Sequence, residues 1–381
     1  MSKFELVATT LLGIESITAR ELEELGIEVL KVEDGRVTFA GDEITICQAN
    51  TWIRTAERIL IKLGEFNAFT FEELFQGTKA LPWNEWISQN CAFPVKAYSL
   101  KSKLQSVPDC QAIVKKAIVE KLKTCYNVEW FEESGPLYRI HLALLKDNAT
   151  LMIDTSGEGL HKRGYREMSN EAPLKETLAA ALIYISRWRP NKPFVDPFCG
   201  SGTIPIEAAM IGANIAPGLK RKFISEDWSQ IPAQLWNQTR TQAQKLIKAD
   251  AELDIFGCDI DSSAVKLSKK NAAIAGVDKF VKFKQLPVSE LNSTKEYGTI
   301  ICNPPYGERL SDIKTAEGIY NEIGNVFAAH NTWSYFILSP NEKFEALFGK
   351  KSNKNRKLYN GMIKCYLYQY LGPKPPRTNN A

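Results

Sequence analysis

The chain has 381 residues, 44% of them hydrophobic and 24% charged, which suits a folded protein of two or three domains and excludes a small stapled scaffold, a fibre or a disordered tail. The formal charge of +4 is too mild to announce a polyanion partner, but it is unevenly spread: residues 1–50 carry a local −6 and residues 341–381 a local +7. Eight scattered cysteines without a C-x-x-C pair and only three histidines argue against zinc or a disulfide framework. With no apolar run near membrane length and no secretory start, they point to a reducing cytoplasm.

In chain order, FELVATT (4–10) reads as a strand, IESITARELEELG (14–26) as an amphipathic helix ending at Gly26, and VLKVEDGRVTFAG (29–41) as a hairpin about Asp34-Gly35. Helices are predicted over 44–63 and 70–81, a strand over 93–100, a helix over 108–126 and a strand pair over 137–145 and 149–156. Residues 95–125 hold seven lysines against Asp109 and Glu120. The polar, Gly-rich stretch 156–173 then interrupts the pattern as a linker.

Beyond it, helix 174–188 leads to the apolar strand 193–198, Gly-rich CGSGT and helix 204–214; a basic, aromatic insertion and a helix near 232–250 follow. Strand 254–260, helix 263–276, strands 280–286 and 298–303, a helix near 317–330, strand 334–340 and a C-terminal pair complete the series. Strands apolar on both faces, alternating with helices, indicate an α/β fold with a doubly wound, mostly parallel sheet.

Three strand ends carry the chemistry. Asp196-Pro197-Phe198-Cys199-Gly200-Ser201-Gly202 opens a helix where such sheets bind ligands. It lacks the lysine of a P-loop, and an acidic residue there suits a cationic ligand such as S-adenosylmethionine. A carboxylate at Asp259 is placed to accept hydrogen bonds from ribose hydroxyls, whereas Asp261 fits the N-cap of the next helix. Asn303-Pro304-Pro305-Tyr306 is the most specific signal. An exocyclic purine amine is a weak nucleophile, and the Asn303 side-chain oxygen and Pro304 carbonyl accept its hydrogens and orient its lone pair, with Tyr306 as a stacking face. Cys199 and Cys302 are the cysteines beside the site that a C5-pyrimidine mechanism would need. Both sit in strand-end packing sequences and read as buried. Lys162-Arg163-Gly164-Tyr165-Arg166 reads equally as a phosphate clamp or as a joint paired with Glu158, Glu167 and Glu171.

Together, DPFCGSGTIPIEAA, GCDIDSSAVKLSKKNAAIAG, NPPYGERL and the preceding DTSGEGLHKRGYREMSNEAPLKETLAAAL resemble the THUMP-domain RNA methyltransferases, most nearly the bacterial enzymes that methylate guanine N2 in 23S rRNA. The resemblance spans nearly the whole chain, strongest over 151–310. It implies a ferredoxin-like module (1–54), a THUMP RNA-binding domain (55–155), a linker (156–170) and a class I methyltransferase domain (171–381). It implies S-adenosylmethionine as cofactor, S-adenosylhomocysteine as product and no metal. The cofactor set it implies is Thr177, Asp196, Phe198, Gly200, Ser201, Gly202, Asp259, Ile260, Val288 and Asn303, with Asn303, Pro304 and Tyr306 catalytic. Lys101, Lys103, Lys162, Arg163, Arg166 and Arg309 are the RNA-facing candidates. The partner implied is RNA, 23S rRNA or a large-subunit assembly intermediate; a guanine in tRNA, an adenine N6, or an inactive RNA-binding maturation factor are the alternatives. One departure stands out: family members often carry an Asp shortly after the third strand, where this chain has Pro287.

Overall fold

The computed structural model describes residues 3–166, 174–306 and 310–376, the side chains of 310–313 excepted. Glu167, Glu171, Arg309 and Arg377 therefore lie outside the described residues. The chain forms two compact units. The first comprises Met1–Thr10, Thr18–Leu160 and Arg221–Gln242; the second comprises Leu11–Ile17, His161–Lys220 and Ala243–Ala381.

In the first unit β1 (Phe4–Thr10), β2 (Val29–Glu33), β3 (Arg36–Gly41), β4 (Ala56–Asn67), β5 (Val95–Leu100), β6 (Arg139–Leu145) and β7 (Asn148–Asp154) make one seven-stranded sheet, order β2-β3-β1-β4-β7-β6-β5. All neighbours are antiparallel except β5 and β6. The helices of this part are α1 (Glu15–Glu24), α2 (Glu43–Trp52), α3 (Phe71–Ala80) and α4 (Val107–Tyr126). The helix expected over 44–63 stops at Trp52, and the rest is β4. AERILIKL is rich in branched residues and is claimed by two neighbours, β1 and β7; that pairing outweighs a helical propensity that its Leu, Lys, Arg and Glu would otherwise favour.

The aromatic insertion has its structural reason here. Trp228 stacks on Tyr138 with ring centroids 4.2 Å apart, Phe223 stacks on Trp236, and all four rings lie in the first unit's core. Residues 221–242 thus close that core, although the sequence returns to the second unit on either side.

The second unit has α5 (Glu176–Ser186), β8 (Phe194–Asp196), α6 (Thr203–Gly212), β9 (Ile255–Asp259), α8 (Ser262–Ala275), β10 (Val281–Gln285), β11 (Thr299–Cys302), α9 (Leu310–Ala328), β12 (Ser334–Ser339), α10 (Phe344–Phe348), β13 (Lys354–Asn360) and β14 (Ile363–Tyr370); α7 (Ala233–Lys245) precedes β9. The sheet order is β10-β9-β8-β11-β12-β14-β13, parallel up to β12 and antiparallel beyond. Pro193 and Pro197 flank β8, and proline donates no ladder hydrogen bond, which accounts for its three residues. The order turns back on either side of β8, so the carboxyl ends of β8, β9 and β11 open on one crevice.

Candidate active site

That crevice is a cavity of about 680 Å³, within the range of small-molecule sites. Asp196 ends β8 at its floor. It is buried and accepts a hydrogen bond from the Phe198 N–H at 3.1 Å. Burial pushes its carboxyl well above the usual carboxylate range; the Phe198 N–H only partly offsets this, and the Asp259 charge adds to it. A buried carboxyl in this condition ionises readily only beside a cationic partner.

Asp259 ends β9 and is tied from both oxygens: Oδ2 accepts from Gly200 N–H at 2.9 Å and Oδ1 from Asp261 N–H at 3.0 Å. Asp261 caps α8 through Ser263 N–H at 2.8 Å, as its position predicts. The two glycines of the turn do different work. Gly200, at φ +51°, has open space where a Cβ would stand and lines the cavity. Gly202, at φ +85°, is the N-cap of α6; a Cβ there would come 2.8 Å from Ser268 Cβ, so it lets α6 approach α8.

The wall opposite is built by Ile260, 72% exposed, with Pro287, Val288 and Ser289. Pro287 therefore stands on the cavity, contributing apolar surface where an Asp was expected from the resemblance. At the end of β11, Asn303 and Tyr306 are joined by a hydrogen bond from the Tyr306 hydroxyl to Asn303 Oδ1, and the hydroxyl also meets Cys365 Sγ at 3.7 Å. Burial raises the Tyr306 phenol well above its ordinary value, so it stays protonated as a donor.

Asp196, Phe198, Gly200, Ser201, Asp259, Ile260, Val288, Asn303, Pro304 and Tyr306 all line this one cavity. Gly202 and Thr177 do not: Gly202 faces α8, Thr177 is fully buried on α5, and Leu174 and Lys175 take the lining position. Sequence reasoning passed over Asn271, whose amide donates to the Ser201 carbonyl at 2.9 Å from inside α8 and holds the turn. An amide side chain on the stripe of small and apolar residues Ala264, Val265, Ser268, Ala272, Ala275 was the available signal. The thiols of Cys199 and Cys302 are buried and raised by that burial, so neither is a ready thiolate.

The linker cluster divides. Arg163 is 4% exposed; its Nε lies 3.4 Å from Glu207, which also accepts from the Tyr165 hydroxyl at 3.2 Å. Arg166 donates to the Leu174 carbonyl at 3.2 Å and Thr203 Oγ1 at 3.1 Å and pairs with Glu176 at 3.2 Å. Arg163 is buried and Arg166 half-buried, and both side chains are used inside the second unit, which favours the joint over the phosphate clamp: guanidiniums engaged by carboxylates are not offered to RNA. Among the described residues, their partners include Glu207 and Glu176. Lys162 is exposed, as are Lys101 and Lys103 of the first unit. Among the described residues no group of three or more His, Cys, Asp or Glu is placed to share a metal ion, and no helix is long and apolar enough to cross a membrane.

The family described as RMKL-like, methyltransferase domain, matches residues 163–369, more than half of the chain. This chain belongs to the RMKL-like methyltransferases. The same family's ancillary parts match upstream, the RlmL ferredoxin-like domain over residues 5–60 and the THUMP domain over 68–154. A Bacillus subtilis (strain 168) protein named "Putative RNA methyltransferase YpsC" is 50% identical over 386 residues, covering 100% of both chains. Among solved structures, SMU.472, described as "a putative methyltransferase complexed with SAH", superposes with TM-score 0.93 at 48% identity, covering 99% of this chain and 100% of that one. A Listeria monocytogenes str. 4b F2365 protein described as a "predicted N6-adenine-specific DNA methylase" gives TM-score 0.93 at 49% identity, covering 98% and 97%. The α/β class I methyltransferase fold with a THUMP-bearing first unit stands on these matches and on the sheet order.

Proposed function

We propose that the protein transfers a methyl group from S-adenosylmethionine to the exocyclic N2 amine of a guanine in RNA, in 23S rRNA or a large-subunit assembly intermediate, in the cytoplasm. The observation that carries the reading is the presence of Asn303, Pro304 and Tyr306 on the wall of the same cavity as Asp196 and Asp259. The cofactor is S-adenosylmethionine, in keeping with the SAH held by the relative SMU.472.

The cavity fits that group. Asp196 is a buried carboxylate for its amino group, Asp259 an acceptor for ribose hydroxyls, and Ile260, Pro287 and Val288 an apolar slot for adenine. When bound it supplies an electrophilic methyl. The rest is done by the chain. A carbonyl oxygen has two lone pairs, so Asn303 Oδ1 can keep the Tyr306 hydroxyl on one and take the target N–H on the other. Tyr306 thereby fixes the Asn303 side chain before the base arrives, and the Pro304 carbonyl accepts the second hydrogen. The amine lone pair then points along the line of transfer, and its barrier falls by orientation. The methylated nitrogen is acidic enough to lose its proton to water without a strong base.

RNA is favoured by the THUMP match and the name of the Bacillus relative, and guanine N2 in rRNA by the resemblance of the strand-end motifs to the 23S rRNA guanine-N2 enzymes. The name of the Listeria relative favours a second reading, an adenine N6 amine, which the same Asn-Pro-Pro-Tyr constellation can hold. A tRNA guanine is held as readily. Nucleoside mass spectrometry of rRNA, tRNA and DNA from cells lacking the gene separates these readings. Loss of N2-methylguanosine from 23S rRNA, restored by the parent and not by Asn303→Ala, is expected. No lost nucleoside, and no transfer in vitro with SAH still bound, would leave an inactive RNA-binding factor.

A further inference from the structure

From Ala346 to the C-terminus the sequence holds eight Lys or Arg residues and no Asp or Glu. About half of this segment, with four of those eight basic residues, is the β13–β14 hairpin, whose register separates two faces. Leu358, Cys365 and Leu367 turn into the apolar core. On the other face, near the turn, the pairs Lys357↔Tyr366 and Tyr359↔Lys364 alternate cation and ring as a checkerboard, while farther along the same face Tyr368 and Tyr370 are buried in a second core on which Tyr366 rests. Lys357 Nζ lies 5.4 Å from the Tyr359 ring and Lys364 Nζ 5.1 Å from the Tyr366 ring; both lysines are exposed and both rings half-buried. Among the described residues, Lys364 on this face pairs with Glu342 at 3.3 Å, an ion pair that is solvent-exposed and so weak. The turn of the hairpin reaches the active-site cavity, because Asn360, Gly361 and Ile363 line it, and between them Met362 stands 97% exposed.

Cations interleaved with aromatic faces are what unpaired nucleotides need: ammonium groups for the phosphates and rings for the bases. An apolar side chain at the mouth of a cavity that receives an extruded base also has a use, against the neighbouring base left behind. We infer that this hairpin face, Lys357, Tyr359, Lys364 and Tyr366 with Met362 at its tip, is a binding site for the single-stranded RNA flanking the target nucleotide. The inference rests on the RNA reading above and adds to it a contact surface in the catalytic unit.

The test uses the full-length protein, a fluorescein-labelled unstructured 12-nucleotide RNA and its duplex as competitor, with affinity measured against salt. Lys357→Ala with Lys364→Ala should weaken binding about tenfold and lower the log–log salt slope by roughly 1.4, two phosphates on a single strand. Tyr359→Ala and Met362→Ala should weaken it about fivefold or more with the slope unchanged, since stacking carries no counterion release. SAH affinity, read by calorimetry, should stay within twofold in every variant, which reports the fold. Affinities and slopes within twofold of the parent throughout would overturn the site, as would a duplex that competes as well as the single strand. Methyl transfer by the parent to RNA from cells lacking the gene is measured alongside. Hairpin-dependent binding without transfer would remove the chemical reading and leave the site standing.

Discussion

Replacing Asp196 with Asn should make the ligand-free protein more stable and its cofactor site worse. Asp196 is 1% exposed, and its one donor among the described residues is the Phe198 N–H. Its carboxyl in the folded chain titrates well above the unfolded value, chiefly through burial. As pH rises past the ordinary carboxylate value, the unfolded chain releases this proton first and the folded chain retains it. Stability therefore falls by about 1.4 kcal/mol per pH unit until the folded value is reached, and is constant above it. Asn carries no such proton. Its advantage over the parent should be absent near the bottom of that window, widen as pH rises, and level off, with each kcal/mol adding about 2–4 °C to the melting of a unit this size. A cationic ligand needs the ionised carboxylate, so SAH should bind the Asn form about 10- to 150-fold more weakly, the loss of one charge-assisted hydrogen bond. Thermal melts without SAH at pH 4 to 8 and calorimetry with SAH read both effects. A variant less stable than the parent at neutral pH, or one that keeps its SAH affinity, would refute this account of Asp196.

Asn303→Ala should abolish methyl transfer with the melting midpoint unchanged, since Asn303 lines the cavity and is not part of the apolar core; transfer at the parental rate would remove it from the mechanism. Arg163→Ala should destabilise the protein by about 3–5 kcal/mol by leaving Glu207 buried without its cation, while the salt slope for RNA stays as it was. A flattened slope with the melting midpoint unmoved would return Arg163 to the RNA surface. Lys101→Ala with Lys103→Ala should do the reverse, weakening RNA binding and reducing the salt slope without shifting the melting midpoint, as both side chains are exposed.

Most strands and helices were legible because their periodicity and punctuation agree: Gly26 and Gly276 end helices at positive φ, Asp34-Gly35 turns a hairpin, and Lys146-Asp147 takes the left-handed conformation in the next. The failure at 44–63 came where local and long-range preferences conflict, since no local pattern reports that β4 is paired on both sides. The site was legible where a strand end carries a motif, because parallel topology brings strand ends together whatever the loops do. Thr177 was out of reach for the opposite reason: only packing decides that Leu174 and Lys175, before α5, reach the cavity while Thr177 within it does not.

The cationic residues show where charge in a sequence stops being informative. Arg163 and Lys357 are equally basic on paper, and each has a tyrosine two residues on. In the fold one is buried against Glu207 and Tyr165, and the other stands on a strand face open to solvent. A strand separates its two faces by register, so with Leu358, Cys365 and Leu367 on one face, Lys357, Tyr359, Lys364 and Tyr366 share the other, which is exposed near the hairpin turn and carries the buried Tyr368 and Tyr370 farther along. The linker has no such rule, and its arginines followed the nearest buried carboxylates. The basic C-terminal segment is therefore read more securely than the basic linker: alternation fixes which face its side chains take, and the Glu342 carboxylate that competes there for Lys364 does so through an exposed, weak pair.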